Sequence, residues 1–418
     1  MAFELRDVAL VLPDRRIGTG SLAVEGCHIS AIREYPVAVP VRAVLPGLVN
    51  CHGHTAMTLL RGCGSGLPLK RWLEEAIFPV EAKLTPDDVA CGMTWGALEM
   101  LAGGTTCVAD MYDFPREGGR ALAATGMKGN VCRVGLAFAA DNPPGRLEEC
   151  IRFVEEWSDG RVVADICIHS EYLTNEPFCR ALAEANRTLR RPLHVHVSET
   201  AEEHKACLAR HGKTPIAYLA DLGLLDCGGY AAHCVHCTDG DFAIMREKRV
   251  TLVHNPSSNM KLGSGFARIP EALAAGVNVA LGTDGCASND NLNMFEEMHL
   301  AALVHKGRLG DPTVLPAWDV LDMATKNGAR ALGRSDTGEL AVGKKADLCV
   351  LNLTRPHLKP CADLANLLVY SAQASDVEQT YVDGELLYDR GVWPAIDAAS
   401  IRADVEIRHS RLFSCASE

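Results

Sequence analysis

Between residues 84 and 104 the chain reads LTPDDVACGMTWGALEMLAGG, with apolar positions Val89, Met93, Ala97 and Leu101 spaced to form one helical face. Thr85 suits the cap of that helix and Pro86 its first position, while Asp87 and Asp88 complement the positive end of the helix dipole. Gly103 and Gly104 end it, and the apolar run TTCVADM follows at once. The same rhythm recurs in NVCRVGLAF (130–138), VVADICIH (162–169), PLHVHVSE (192–199), YAAHCVH (230–236), VTLVHN (250–255) and VNVALGTD (277–284). With the apolar run Leu45–Val49 these make eight strand units, most of them separated by a helix-length segment. Continuously apolar strands alternating with helices predict a parallel sheet covered on both faces. Eight such units predict an α/β fold of the (β/α)8 TIM-like barrel type.

The two ends have a different pattern. Residues 1–45 alternate apolar and polar positions around a turn at Glu25-Gly26, and QTYVDGELLYDRG reads as a hairpin turning at Asp383-Gly384. Segments 1–45 and 340–395 are therefore expected to form one small β-sandwich domain flanking a barrel of residues 46–339, with 396–418 helical and peripheral.

Composition narrows the class. The 418 residues carry 41 Lys+Arg against 53 Asp+Glu, a formal charge of −12 with no dense basic run. That argues against a nucleic-acid backbone or an anionic membrane as partner. No apolar stretch is long enough for a membrane span, and the N-terminus has no signal-peptide pattern. Seventeen cysteines, scattered through apolar segments, are expected as buried free thiols in a reducing cytosol. HCVHC (233–237) lacks the second half of a zinc knuckle, so Cys234 and Cys237 are expected as packing residues.

The strand ends carry the chemistry. In PGLVNCHGH, His52 and His54 lie two residues apart, a spacing that aims both imidazoles to one side of an extended chain. Two such histidines alone could be ordinary loop polars. Other expected strands, however, end at His169, at His196 followed by Glu199, at His233 and at Asp284. Barrel strand ends converge on one mouth, and packing does not explain so many ionisable residues there. His52, His54, His196 and Asp284 offer three nitrogens and one oxygen, a donor set for one divalent ion, Zn²⁺ first and Fe²⁺ as the alternative.

PGLVNCHGHTAMTLLRG, HVHVSET, AAHCVH, HNPSSNMKLGSG and ALGTDGCASNDNLNMFEEM together resemble the amidohydrolase superfamily. Within it they are most similar to the methylthioadenosine/S-adenosylhomocysteine deaminase branch, beside chlorohydrolase and guanine deaminase relatives. The resemblance implies hydrolytic deamination of an adenine nucleoside (methylthioadenosine, 5′-deoxyadenosine, adenosine or S-adenosylhomocysteine) to its inosine analogue and ammonia. It assigns His52, His54, His196 and Asp284 to the metal and Glu199 to proton shuttling at the ring nitrogen. His233 would orient the water, with Asp284 as its base partner. Glu81 and His169 would meet substrate, Glu81 at the ribose hydroxyls, with Trp72 in a lid and Arg146 reaching an anionic tail. A homo-oligomer, dimer or tetramer, is likewise an expectation of resemblance.

Departures and rivals sharpen this. VGLAFAAD carries no arginine after Arg133, where the branch has one, which counts against S-adenosylhomocysteine. His236, three residues past His233, diverges from it and is expected to be a bystander. A binuclear amidohydrolase needs a lysine at the end of strand four, and VVADICIHSEY has none. The other zinc deaminase architecture needs P-C-x-x-C after its H-x-E, and none follows HSE at 169–171. A sister activity on guanine, another amino-heterocycle or a chlorotriazine keeps every ligand and is the runner-up. A non-catalytic metal scaffold would require neither Glu199 nor His233.

Overall fold

The computed structural model describes residues 2–136 and 145–414. Four strands come first: β1 (Ala2–Leu12), β2 (Arg16–Glu25), β3 (His28–Glu34) and β4 (Arg42–Pro46). The eight expected units follow as β5 (Leu48–Gly53), β6 (Thr105–Met111), β7 (Lys128–Cys132), β8 (Val162–Cys167), β9 (Leu193–Val197), β10 (Gly229–His233), β11 (Val250–His254) and β12 (Val279–Leu281). The chain then adds β13 (Leu348–Asn352), β14 (Val377–Val382) and β15 (Glu385–Asp389). The run at 130–138 is shorter than expected: its strand ends at Cys132, and 137–138 lie outside the described residues.

β5 to β12 form one parallel sheet in chain order, hydrogen-bonded from neighbour to neighbour. Between its first and last strands, Asn50 Nδ2 donates to Thr283 Oγ1 (2.7 Å) and Thr283 N to Asn50 Oδ1 (3.0 Å). Asp284 N donates to His52 O (3.0 Å) across the same seam. Gly282 permits this approach, because a Cβ there would lie 2.8 Å from His52 N. The near-closed barrel thus brings the first and last strand ends side by side.

The terminal strands build a seven-stranded mixed sheet in the order β15-β14-β13-β4-β1-β2-β3, so both chain ends share one unit as expected. The apolar run Leu45–Val49 is not one strand: it is divided at Gly47, with β4 in the terminal sheet and β5 in the barrel. A Cβ at Gly47 would meet the Thr106 side chain at 2.2 Å, so only glycine lets the chain cross there. Strand alternation serves both sides of this sheet: Ala9, Val11, Ala43 and Leu45 join the main core with barrel residues, while Val8, Leu10 and Val44 pack in a second cluster. The hairpin turns at Asp383 and Gly384, both at positive φ (51° and 75°).

The helix Pro86–Ala102 forms as its sequence requires, with Thr85 and Asp88 making a reciprocal capping box. The C-terminal segment expected to be peripheral is a docked helix, Ala398–Phe413, tied to Asp88 through Arg408 and Arg411. Cys234 and Cys237 are buried and unpaired, as are most of the described cysteines. No helix among the described residues is long and apolar enough to cross a membrane.

Candidate metal and catalytic site

The C-terminal ends of the barrel strands place their ionisable residues around one point. His52 and His54 leave β5 with ring centroids 4.9 Å apart, and their Nε2 atoms stand 3.3 and 3.2 Å from Asp284 Oδ1. His196 Nε2 lies 3.3 Å from His54 Nε2. Ligand atoms of His52, His196 and His233 fall within 4.8 Å of one another, as do those of His52, His54 and Asp284. Asp284 (φ 64°) and His233 (φ 71°) adopt left-handed backbone that non-glycine residues rarely hold. Strain of this kind persists where the surrounding structure fixes the turn, and it aims these side chains inward.

The outer ring nitrogens are all engaged. His54 Nδ1 faces Met111 O, His196 Nδ1 faces His169 O (2.8 Å), His233 Nδ1 faces Asn259 Oδ1 (2.9 Å), and His52 Nδ1 faces His194 Nε2 (2.8 Å). Against an oxygen acceptor the Nδ1 must carry the hydrogen, which leaves the Nε2 lone pair directed into the site. Asp284 is oriented likewise: Ser258 Oγ (2.6 Å) and Ser288 Oγ (2.8 Å) both donate to Oδ2, leaving Oδ1 toward the imidazoles. His52 Nε2 is buried with no hydrogen-bond partner. An orphaned buried nitrogen beside converging imidazoles and one carboxylate fits a divalent ion of the zinc type.

Electrostatics agree. Burial pushes His52 down to about 4 and His169 to about 3, and it holds His196 well below the usual histidine range. His54 differs: burial disfavours its charge, but the hydrogen bond and charge of Asp284 outweigh that and raise it to about 9. The same pair of histidines holds the Asp284 carboxyl well below its ordinary value in spite of burial.

Above these groups lies a cavity of about 380 Å³, lined by His54, His169, His196, Glu199, His233 and Asp284 at its floor. Glu199 Oε2 is 3.9 Å from His233 Nε2, and burial raises the Glu199 carboxyl above its usual range. Glu81 lines the wall and accepts a hydrogen bond from Tyr112 Oη (2.8 Å). Trp72 also lines the cavity, with its indole N–H on Cys63 O (3.3 Å), in a helical segment that includes a π turn from Trp72 to Ile77. Arg146 is not among the lining residues; it opens the helix Arg146–Glu156. His236 is also outside the lining and bonds Ser264 O (3.0 Å).

Several supporting residues escaped the sequence analysis. His194 lies behind His52 and Asn259 behind His233, while Ser258 and Ser288 hold Asp284. Glu203 accepts the backbone N–H of both Ser198 and Glu199 (2.7 Å each) and so fixes the turn that presents Glu199. Only His194 had a visible signal, since HVH repeats the spacing of His52 and His54.

Residues 43–387 match the amidohydrolase family, and the chain belongs to that family. It is 43% identical over 369 residues to a 5-methylthioadenosine/S-adenosylhomocysteine deaminase of Acetivibrio thermocellus, covering 87% of this chain and 85% of the relative. It is 45% identical over 409 residues to a 5′-deoxyadenosine deaminase of Methanosarcina barkeri, covering 96% and 93%. An adenosine deaminase from Xanthomonas campestris, solved with bound zinc, superposes with a TM-score of 0.91 at 33% identity, covering 97% of this chain and 98% of that one.

Proposed function

We propose that the chain is a metal-dependent deaminase that hydrolyses the C6–amino bond of an adenine nucleoside, giving the inosine analogue and ammonia. The observation that carries this is a buried carboxylic acid, Glu199, at the floor of the cavity beside His233 and the converging His52, His54, His196 and Asp284. The deaminase names of the relatives above support it.

His52, His54, His196 and Asp284 would hold one divalent ion, Zn²⁺ by donor type, with Fe²⁺ accepting the same set. Such an ion, when bound, lowers the pKa of water towards ~7 and so supplies a nucleophile at neutral pH. The protein's own groups do the rest. Burial favours the neutral acid form of Glu199, which can give its proton to the purine ring nitrogen next to the attacked carbon. His233, its Nδ1 held by Asn259, presents Nε2 as an acceptor that orients the water. Glu81 accepts hydrogen bonds from ribose hydroxyls, and Trp72, Leu69, Leu73 and Ile77 close the wall around the sugar.

The lining also bears on the 5′ group. Among the described residues it contains no lysine or arginine, and its carboxylates Glu81 and Asp113 repel a carboxylate tail. Small uncharged 5′ groups, as in methylthioadenosine and 5′-deoxyadenosine, suit it better than the tail of S-adenosylhomocysteine. Comparing kcat/KM for these nucleosides, adenosine and guanine tests the assignment. Preference for the 5′-thio and 5′-deoxy compounds is expected. Turnover of guanine or a chlorotriazine alone would replace it with the sister activity.

A further inference from the structure

Glu297 is fully buried near the start of the helix Met294–Leu309, away from the cavity, whereas its neighbour Glu296 is exposed. One carboxyl oxygen accepts from Asn289 Nδ2 (2.8 Å), and the other accepts from Ser257 N (3.3 Å). These contacts lead to the two segments that hold Asp284, the start of the helix Pro256–Lys261 and the turn at 288–289. Asn289 Nδ2 also donates to Thr283 O (2.7 Å), and Asn289 follows Ser288, whose hydroxyl holds Asp284 Oδ2 (2.8 Å). Ser257 precedes Ser258, whose hydroxyl holds the same oxygen from the other side (2.6 Å).

We infer that Glu297 is a positioning residue for Asp284: its carboxyl cross-ties the start of the helix Pro256–Lys261 to the turn at 288–289, so that both serine hydroxyls meet on Oδ2 and Oδ1 stays aimed at His52 and His54. The inference rests on Asp284 serving as a ligand, as proposed above. It gives a buried acid with no contact to the cavity a specific task. Burial raises this carboxyl to about 8, against the hydrogen bonds that it accepts from Ser257 and Asn289. A glutamine keeps nearly the same volume but turns one of the two acceptors into a donor.

The test reads zinc affinity of the purified chain by competition with a chromophoric chelator, with no nucleoside present, so its outcome is separate from that of the substrate assignment. Glu297→Ala and the smaller cut Asn289→Ala are expected to weaken zinc binding roughly 10–100-fold, the scale of lost outer-sphere support. Glu297→Gln is expected to weaken zinc binding to between the parent and Glu297→Ala, since its amide NH2 replaces one of the two acceptor oxygens and meets an N–H donor. Melting of the metal-free proteins checks the fold, and Asn289→Ala carries the test if Glu297→Ala does not fold. Zinc affinity unchanged in the alanine variants, with only melting lowered, would make Glu297 a fold residue and overturn the inference. A glutamine variant that binds zinc as tightly as the parent would overturn it equally, since the cross-tie needs both acceptors.

Discussion

His194 Nε2 lies 2.8 Å from His52 Nδ1, one imidazole standing edge-on to the other inside the barrel. Burial holds His194 well below the ordinary histidine range, so it is neutral. For His52 to offer Nε2 to a metal, its Nδ1 must carry the hydrogen, and His194 Nε2 is the acceptor that fixes this tautomer. His194→Phe keeps a ring of similar breadth but removes the acceptor. Zinc affinity is expected to fall roughly 10–100-fold, the cost typical of a lost outer-sphere partner. His236→Ala, outside the cavity, is expected to leave it unchanged; chelator competition on both variants checks the pair.

Zinc binding should release a proton. In the metal-free protein Asp284 raises His54 to about 9, so His54 is charged at neutral pH, whereas His52, at about 4, is not. A ligand must be neutral, and the proton on His54 has to leave. Calorimetric titration at pH 7 in buffers of different ionisation enthalpy is expected to show close to one proton released per zinc. Affinity should rise with pH until about 9 and then level. A buffer-independent heat would contradict this protonation pattern.

Acid should loosen the C-terminal helix first. Burial alone would raise the Asp88 carboxyl, but hydrogen bonds from Thr85, Arg408 and Arg411 outweigh it and hold the group at about 2. The folded value is thus below the unfolded ~3.9. The stability it contributes is fully present above ~4 and is lost as pH falls towards ~2. Asp88→Asn is expected to melt lower than the parent at pH 7, with the gap closing between pH 4 and 2.5. A constant gap across that range would show that the ion pairs contribute nothing.

Much of this was legible because barrel strands are continuously apolar and end in chemistry. Every expected unit holds a barrel strand, the first of them split at Gly47, and period-two spacing placed His52 beside His54. The crossing at Gly47 was not legible, since an apolar run carries no mark of which sheet it joins. Nor were Glu203 and Glu297, whose pattern is that of ordinary helix-start carboxylates; only the fold shows which face is inward. Arg146, expected from resemblance alone, opens a helix and is not among the described residues that line the cavity.

The most direct measurement is ammonia release from methylthioadenosine by the zinc-loaded chain, set against Glu199→Gln with its zinc content measured in parallel. The account predicts one ammonia per inosine analogue formed, and a loss of roughly 10²–10⁴-fold in kcat for a variant that still holds one zinc, since Glu199 moves the proton without holding the metal. Equal turnover by parent and variant would contradict the central claim, as would zinc-loaded parent protein that releases no ammonia from any adenine nucleoside.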